Sequence, residues 1–246
     1  MAGCLIGRVG GGRFPLAGFL RSWALFLALA GFALAATPPA FAQVGPSASE
    51  IAAYRDLHAA AQRGDTAEIA RLAAAGADVE ERDGSGRTAV HIAAFAGHGA
   101  ALGALGAVGA DMNALEGGRY DAVTIAAVAD DTATLAAALA AGNEPDNVTS
   151  VWDGNALIAA AHEGNHESIA ILISAGSKLD HVNSLGWTAI IESIVLGDGG
   201  PRHQESLKRL IEAGADRTIR DREGRLPVEL ASERGFAAMV GLLEGR

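Results

Sequence analysis

The stretch Thr88-Ala89-Val90-His91-Ile92-Ala93-Ala94 decides the fold. Thr88 can cap a helix, because its hydroxyl can accept a hydrogen bond from an otherwise unpaired N–H of the first turn. The valine and the last two alanines recur at helical spacing and predict a narrow apolar face. Gly97 follows, and glycine adopts at little cost the left-handed conformation that ends helices. We therefore predict a short helix, a turn at Gly97 and a second helix that runs to about Val108.

Glycines repeat along the chain with a nearly constant period. One series ends the second helix of each predicted unit, at intervals of 33, 33, 34 and 38 residues. A second series marks the turn between the two helices and keeps the same period, with Asp130 where one glycine is missing. The members are Gly76, Gly109, Gly142, Gly176 and Gly214 in the first series and Gly64, Gly97, Gly164, Gly197 and Gly235 in the second. Two series with one period indicate a copied structural unit, and such units stack into a solenoid because none can bury its apolar face alone.

These residues resemble the ankyrin repeat family, whose hallmark is Thr-Pro-Leu-His-x-Ala-Ala, then glycine, a leucine pair and Gly-Ala-Asp. Here the first stretch is closed by Gly109-Ala110-Asp111, and the match recurs at Leu57-His58-Ala59-Ala60-Ala61 with Gly76-Ala77-Asp78. Further copies stand at Asn155-Ala156-Leu157, Thr188-Ala189-Ile190 and Leu226-Pro227-Val228. The resemblance covers about Tyr54 to Glu244. It implies an all-α ankyrin-repeat solenoid of about six helix-turn-helix units with short β-turn tips, at approximately 54–83, 84–116, 117–150, 151–184, 185–221 and 222–246.

The later copies depart from the hallmark. Asp121 and Asn155 replace the capping threonine, although both can still cap a helix. The histidine position holds Thr124, Ile158, Ile191 and Glu229 in later copies, which puts the family's inter-repeat hydrogen bonds in doubt there. The fifth copy carries an insert, 198–202, between its two helices. The stretch from Leu179 to His203 is similar to a bacterial subgroup of the family.

Residues 1–42 differ in kind from the repeats. Their only charges are three arginines, which precede a 14-residue apolar run from Trp23 to Ala36. Ala40-Phe41-Ala42 then offers small residues at the two positions that a signal peptidase reads. This pattern predicts a secretory signal peptide cleaved after Ala42, followed by a flexible lead, 43–53. The apolar run is shorter than the roughly 20 residues of a spanning helix, and an uncleaved anchor is the alternative.

Charge restricts the partners of the exported chain. Cleavage would leave 16 basic and 29 acidic residues, a net charge of −13. Such a surface repels nucleic acid and anionic lipid and favours a basic protein or peptide. The alternative is that the charge only keeps the chain soluble. Cleavage also removes Cys4, the one cysteine, so no disulfide is predicted. We expect a soluble monomer without a cofactor or membrane contact, periplasmic if the bacterial resemblance holds.

One motif suggests a different function. His162-Glu163-Gly164-Asn165-His166 has the H-E-x-x-H form of zinc peptidases, whose two histidines lie one turn apart on a continuous helix with glutamate as the base. Gly164 falls in the predicted turn between two helices, which should break this geometry. A zinc-dependent hydrolase is therefore the weaker alternative, and no catalytic or metal-binding residue is predicted.

Aromatic residues concentrate at the predicted tips. Tyr120, Trp152 and Trp187 precede the first helix of three consecutive units, and we predict that they form a row. In the family the tips and the first helices form a concave groove, and the resemblance places Glu192 at a variable position that points into it. With His181, these are the predicted partner-binding residues, because aromatics with a few charges are typical anchors. The alternative is that the tryptophans only pack. The sequence thus predicts a non-catalytic module that binds an exported protein or peptide.

Overall fold

The computed structural model describes residues 43–246, which form helices joined by short turns and contain no β-strand. The predicted signal peptide, residues 1–42, lies outside the described residues. Within the described part, no helix is long and apolar enough to cross a bilayer. The helices are α1 (Ala48–Ala53), α2 (Asp56–Arg63), α3 (Thr66–Ala74), α4 (Ala89–Phe95), α5 (Gly99–Ala107), α6 (Ala122–Val128), α7 (Thr132–Ala140), α8 (Ala156–Glu163), α9 (His166–Ser174), α10 (Ala189–Val195), α11 (Pro201–Glu212), α12 (Pro227–Glu233) and α13 (Ala237–Glu244).

The helices from α2 to α13 pack as six consecutive pairs. The first helix of each pair contacts the first helices of its neighbours, as α6 contacts α4 and α8. The second helices form a parallel column, in which α7 contacts α5 and α9. Fully buried alanines on the first helices, such as Ala93, Ala126 and Ala160, let the columns lie close together. This arrangement confirms the predicted all-α solenoid.

The glycine series mark the helix ends as predicted. All five glycines of the first series have positive φ, between 88° and 106°. Four glycines of the second series also have positive φ, and Asp130 adopts φ 54° where glycine is missing. The fifth unit differs, because its left-handed residue is Gly199 rather than Gly197. The insert causes this shift: the Gly200 N–H donates to the Asp198 carboxylate at 2.8 Å, and Pro201 begins α11.

Polar caps fix where the first helices begin. The Asp121 carboxylate accepts from the Thr124 N–H at 2.8 Å, and the Asn155 side chain accepts from the Ile158 N–H at 3.0 Å. Both replacements of the capping threonine therefore cap a helix, as predicted. The tips are β-like turns with one isolated bridge, Thr149 to Gly154, among the described residues.

The prediction of a flexible lead is wrong for half of that segment. Residues 48–53 form α1, which begins at Ser47 through a capping box with Glu50. The Glu50 carboxylate accepts from the Ser47 N–H at 2.7 Å, so two otherwise unpaired donors of the helix start are satisfied. The lead is also attached to the repeats, because Arg87 donates to the Val44 carbonyl at 3.3 Å.

Candidate functional site

The candidate site is a surface formed by equivalent positions of successive first helices. The N-caps of these helices are Arg55, Thr88, Asp121, Asn155, Thr188 and Leu226. The seventh residue after each N-cap lies at or next to the C-terminal end of its helix. We call these residues the groove row: Gln62, Phe95, Val128, His162, Val195 and Glu233. Since the first helices stack on one another, equivalent residues lie side by side.

The groove row is apolar at its middle and polar at its ends. Phe95, Val128 and Val195 are half-buried, so each presents part of an apolar side chain to solvent. His162 interrupts them and is also half-buried, whereas Glu233 at the last unit is exposed. The groove row is therefore an apolar strip that His162 interrupts.

A cleft of about 400 Å³ opens where α4 and α6 end. Phe95 and Val128 line it, together with Ala96 and Asp131. Gln43 of the lead also contributes to its lining, so the cleft lies between the repeats and the N-terminal segment. The cleft shows that neighbouring members of the groove row share one concave surface.

The three predicted aromatic residues do not occupy equivalent positions. Tyr120 and Trp187 directly precede the N-caps Asp121 and Thr188, but Trp152 lies three residues before the N-cap Asn155. The three aromatic residues therefore do not share one register position, although a shared position is the reason for expecting a row. Glycine occupies position 154, directly before Asn155, where Tyr120 and Trp187 have aromatic rings.

Exposure separates the aromatic residues further. Tyr120 is only 7% exposed and is one of the core residues. Trp152 and Trp187 are half-buried. The Trp152 carbonyl accepts from the Ser184 N–H at 2.7 Å, which ties the fourth tip to the fifth. Tyr120 therefore packs, whereas each tryptophan retains an exposed part.

His181 lies beside Trp152 in the same pair of tips. Its Nε2 lies 2.7 Å from the Asp153 carbonyl, which fixes the ring against the residue after Trp152. His181 is half-buried. Trp187 belongs to the same fifth tip, since its carbonyl accepts from the Asn183 N–H at 3.0 Å, so three of the five predicted residues lie in one pair of adjacent tips.

Glu192 does not point into the groove. It is 1% exposed and occupies the helix position that holds Ile92 and Ile125 in earlier units, both of them buried. Its carboxylate lies 3.4 Å from the His162 Nδ1 and accepts from the Asn183 amide at 3.4 Å. Burial raises the pKa of Glu192, and the contact with His162 offsets only part of this effect. A partner cannot reach this side chain, so the prediction that it contacts a partner is wrong.

The H-E-x-x-H stretch is divided by a turn, as predicted. The helix α8 ends at Glu163, Gly164 is left-handed at φ 70°, and α9 begins at His166. His162 faces Glu192, whereas the His166 Nδ1 lies 3.3 Å from Glu167 on its own helix. Within residues 43–246, no group of three or more potential ligands is placed to hold a metal ion.

Histidine links the early units, as the resemblance implies. The Thr88 N–H donates to the His91 Nδ1 at 3.0 Å, which leaves the proton on Nε2. The Nε2–H then donates to the carbonyls of Ala114 and Tyr120 at 2.9 and 3.1 Å. His91 is fully buried, and burial lowers its pKa to about 4. His58 likewise contacts the Glu81 carbonyl at 3.0 Å.

A buried amide network replaces histidine in the third unit. Asn143 donates to Asp121 at 2.9 Å, and Asn147 donates to the same carboxylate oxygen at 3.0 Å. Burial raises the pKa of Asp121, although these bonds and those from Thr124 favour its charged form. The sequence predicted Asp121 only as a cap. The asparagines that follow the Gly142 turn were the signal for the network.

Side-chain oxygens also connect each unit to the next at the base of the tips. The Glu80 carboxylate accepts from the Asp111 N–H at 2.7 Å, and the Asp146 carboxylate accepts from the Lys178 N–H at 2.7 Å. Asp180 repeats the contact with the Asp216 N–H at 2.8 Å. Several acidic residues therefore hold the units in register, and not every negative charge is available to a partner.

The geometry defines a class of protein: a solenoid of helix pairs with a half-exposed apolar row along one column of helices. Two family models match, one described as ankyrin repeats in many copies over residues 57–105 and one as ankyrin repeats in three copies over residues 123–221. The chain belongs to the ankyrin repeat family.

Individual relatives agree with this assignment. A solved ankyrin repeat domain from Acinetobacter baumannii AYE is 33% identical, with a TM-score of 0.70, over 77% of this chain and 96% of that one. The solved structure of EF0377, an ankyrin repeat protein, is 29% identical, with a TM-score of 0.70, over 78% and 98%. A curated Escherichia coli (strain K12) relative, named as an ankyrin repeat protein, YahD, is 38% identical over 103 residues, or 41% of this chain. The match spans 51% of that relative's length.

Proposed function

We propose that this protein is a non-catalytic interaction module that binds a protein or peptide along the groove row. The observation that carries the proposal is the half-exposed apolar strip at the ends of consecutive first helices, with a cleft of about 400 Å³ at Phe95 and Val128. Apolar side chains that line a concavity are the usual anchors of protein recognition. The family is built for such surfaces, since stacked repeats create extended concave faces.

The partner's chemistry follows from the charge of the repeats. The described residues carry 16 basic and 29 acidic side chains. A partner segment with apolar anchors and flanking lysine or arginine therefore meets complementary charge at the rim. Trp152 and Trp187 lie in the tips and extend the surface beyond the groove row.

We further propose that the partner is an exported protein and that this chain acts as a soluble monomer after export. The support is the segment pattern of residues 1–42 and the acidic surface that remains after it. N-terminal sequencing of the protein recovered outside the cytoplasm tests the export step. A first residue of Gln43 supports it, whereas Met1 in the membrane fraction supports the anchor alternative.

Photo-crosslinking from defined positions tests the groove. A photoreactive phenylalanine analogue at Val128 should form adducts with a partner in cells that express the protein. The matched control is the same analogue at Ala136, which is exposed on α7, the second helix of the same unit. Adducts from Val128 and none from Ala136 support the proposal. Adducts from Ala136 alone would assign binding to the other face of the solenoid.

A further inference from the structure

Residues 43–50 of the lead lie beside the groove row at Phe95, its second member. Val44 is held through its carbonyl by Arg87, and the backbone of Gly45 lies against Phe95, so that a methyl group at Gly45 would stand 3.3 Å from the ring. Gln43 and Gly45 form one side of the cleft, and Phe95 and Val128 form another. An extended stretch of this chain therefore lies where a bound peptide would lie.

One arginine holds the lead in place. Arg87 donates to the Asp83 carboxylate at 2.8 Å and forms an ion pair with Glu50 of the lead. Ser85 adds a hydrogen bond to Glu50 at 3.3 Å. Tyr54 completes the cluster by donating to Asp83 at 2.8 Å. These contacts fix α1 and the residues before it to the tip between the first two units.

The last unit supplies an internal comparison without a lead. Arg225 stands directly before the N-cap of α12, as Arg87 stands before that of α4, and it pairs with Asp221 through the same spacing of four residues. The side chain of Arg225 is 40% exposed, whereas that of Arg87 is 2% exposed. The same structural position is therefore open in one unit and covered by the lead in the other.

We propose that residues 43–50 act as an intramolecular ligand, which covers the groove row at Phe95 and competes with the partner for Phe95 and its cleft. Competition between the lead and a partner rests on the proposed function, whereas the covering of Phe95 by the lead does not. The Glu50–Arg87 ion pair is the releasable part, because the Glu50 side chain is 39% exposed and the buried Arg87 keeps its pair with Asp83 when Glu50 leaves. The groove would then open fully when a basic partner segment replaces Arg87 as the counter-charge of Glu50.

Thiol accessibility tests the covering without any partner. The protein carries Cys4→Ser, which removes its one cysteine, and Ala96→Cys, which places a thiol in the cleft. Glu50→Gln should raise the rate of maleimide labelling about threefold, because labelling follows the uncovered population. Glu223→Gln is the matched control, since Glu223 pairs with Arg225 at 3.4 Å, and it should leave the rate unchanged. Equal rates in wild type and Glu50→Gln would overturn the covering.

A second thiol position separates release from unfolding. Ala100→Cys lies exposed on α5, and its labelling rate should not respond to Glu50→Gln. A rise at both thiols would mean general loosening and would also overturn the proposal.

Crosslinking from Val128 then tests competition. Glu50→Gln should increase the amount of partner adduct, whereas Glu223→Gln should not. If cleft labelling rises while the adduct yield stays at its wild-type level, the competition is refuted. If no variant yields an adduct although labelling rises, the proposed function fails and the covering stands.

Discussion

At the residue scale, His91 makes the early units sensitive to acid. Burial lowers its pKa to about 4, compared with 6.5 for a free histidine. Between these two pH values His91 is therefore protonated in the unfolded chain and neutral in the folded chain. The contribution of His91 to stability is therefore present above pH 6.5 and is lost as the pH falls from 6.5 toward 4. The free energy of unfolding should fall by up to about 3 kcal/mol over this window.

The variant His91→Gln isolates this effect. Its stability at pH 7 should be lower than that of wild type, because the bonds to Ala114 and Tyr120 are lost or lengthened. Its pH dependence between 6.5 and 4 should also be shallower. Urea unfolding at several pH values measures both quantities, and parallel pH curves for the two proteins would contradict the assignment.

Glu192 should show the opposite pH dependence. Its folded-state pKa is raised by burial, so its ionisation opposes folding as the pH rises above its ordinary value of 4.5. We expect Glu192→Gln to be more stable than wild type at pH 7, by on the order of 1 kcal/mol, and the difference to vanish below pH 4.5. Thermal unfolding of both proteins checks this.

The exposed neighbour Glu163 provides the control for Glu192. It also lies beside His162, at 3.7 Å, but its side chain is 40% exposed. Glu163→Gln should leave the stability within about 0.5 kcal/mol of wild type at every pH. A larger shift for Glu163→Gln than for Glu192→Gln would show that burial is not the cause.

At the scale of single helices, two glycines should respond to alanine in opposite directions. Gly164 is left-handed at φ 70°, and a Cβ there would stand 3.2 Å from Arg202 and from the His203 ring. Gly164→Ala should cost about 1–2 kcal/mol. Gly103 lies exposed within α5 with no atom near its Cβ position, so Gly103→Ala should stabilise by about 0.5–1 kcal/mol. Chemical denaturation measures the free energy of unfolding of both variants. Equal effects of the two substitutions would refute the placement of a turn at Gly164.

Helix ends could be predicted from the sequence because glycine at a turn is a local requirement. Gly97 and Gly164 mark turns by their own conformational freedom, without reference to distant residues. The start of α1 could also have been found, since Ser47 and Glu50 have the spacing of a capping box. The attachment of the lead to Arg87 could not, because it joins residues 43 positions apart.

The burial of individual side chains between the stacked units was harder to predict than the helix ends. The family resemblance predicts that Glu192 faces the groove, although Ile92 and Ile125 at the same distance from their N-caps indicate a core position. Trp152 was grouped with Trp187 by proximity to a helix, although counting from the N-cap separates them. The groove row itself was missed, because half-exposed valines carry no signal until the helices are stacked.

At the scale of the whole molecule, the stacking of the units brings separate apolar side chains together into one surface. Each first helix contributes one residue to the groove row, and the first helices from α4 to α10 contact one another in sequence and align these residues. Acidic side chains at the base of the tips hold the register, as Glu80 and Asp146 do. The described residues carry 29 acidic and 16 basic side chains, and the proposal of a basic partner rests on this excess of negative charge.

The affinity of the crosslinked partner for two variants tests the central claim most directly. Val128→Asp places a charge in the middle of the groove row, and Ala136→Asp places the same charge on the second helix of the same unit. With both variants shown to be folded by circular dichroism, Val128→Asp should weaken binding by about 2 kcal/mol, or about thirtyfold in Kd. Ala136→Asp should leave Kd within about twofold. Unchanged binding to Val128→Asp, or an equal loss in both variants, would contradict the claim that the partner binds along the groove row.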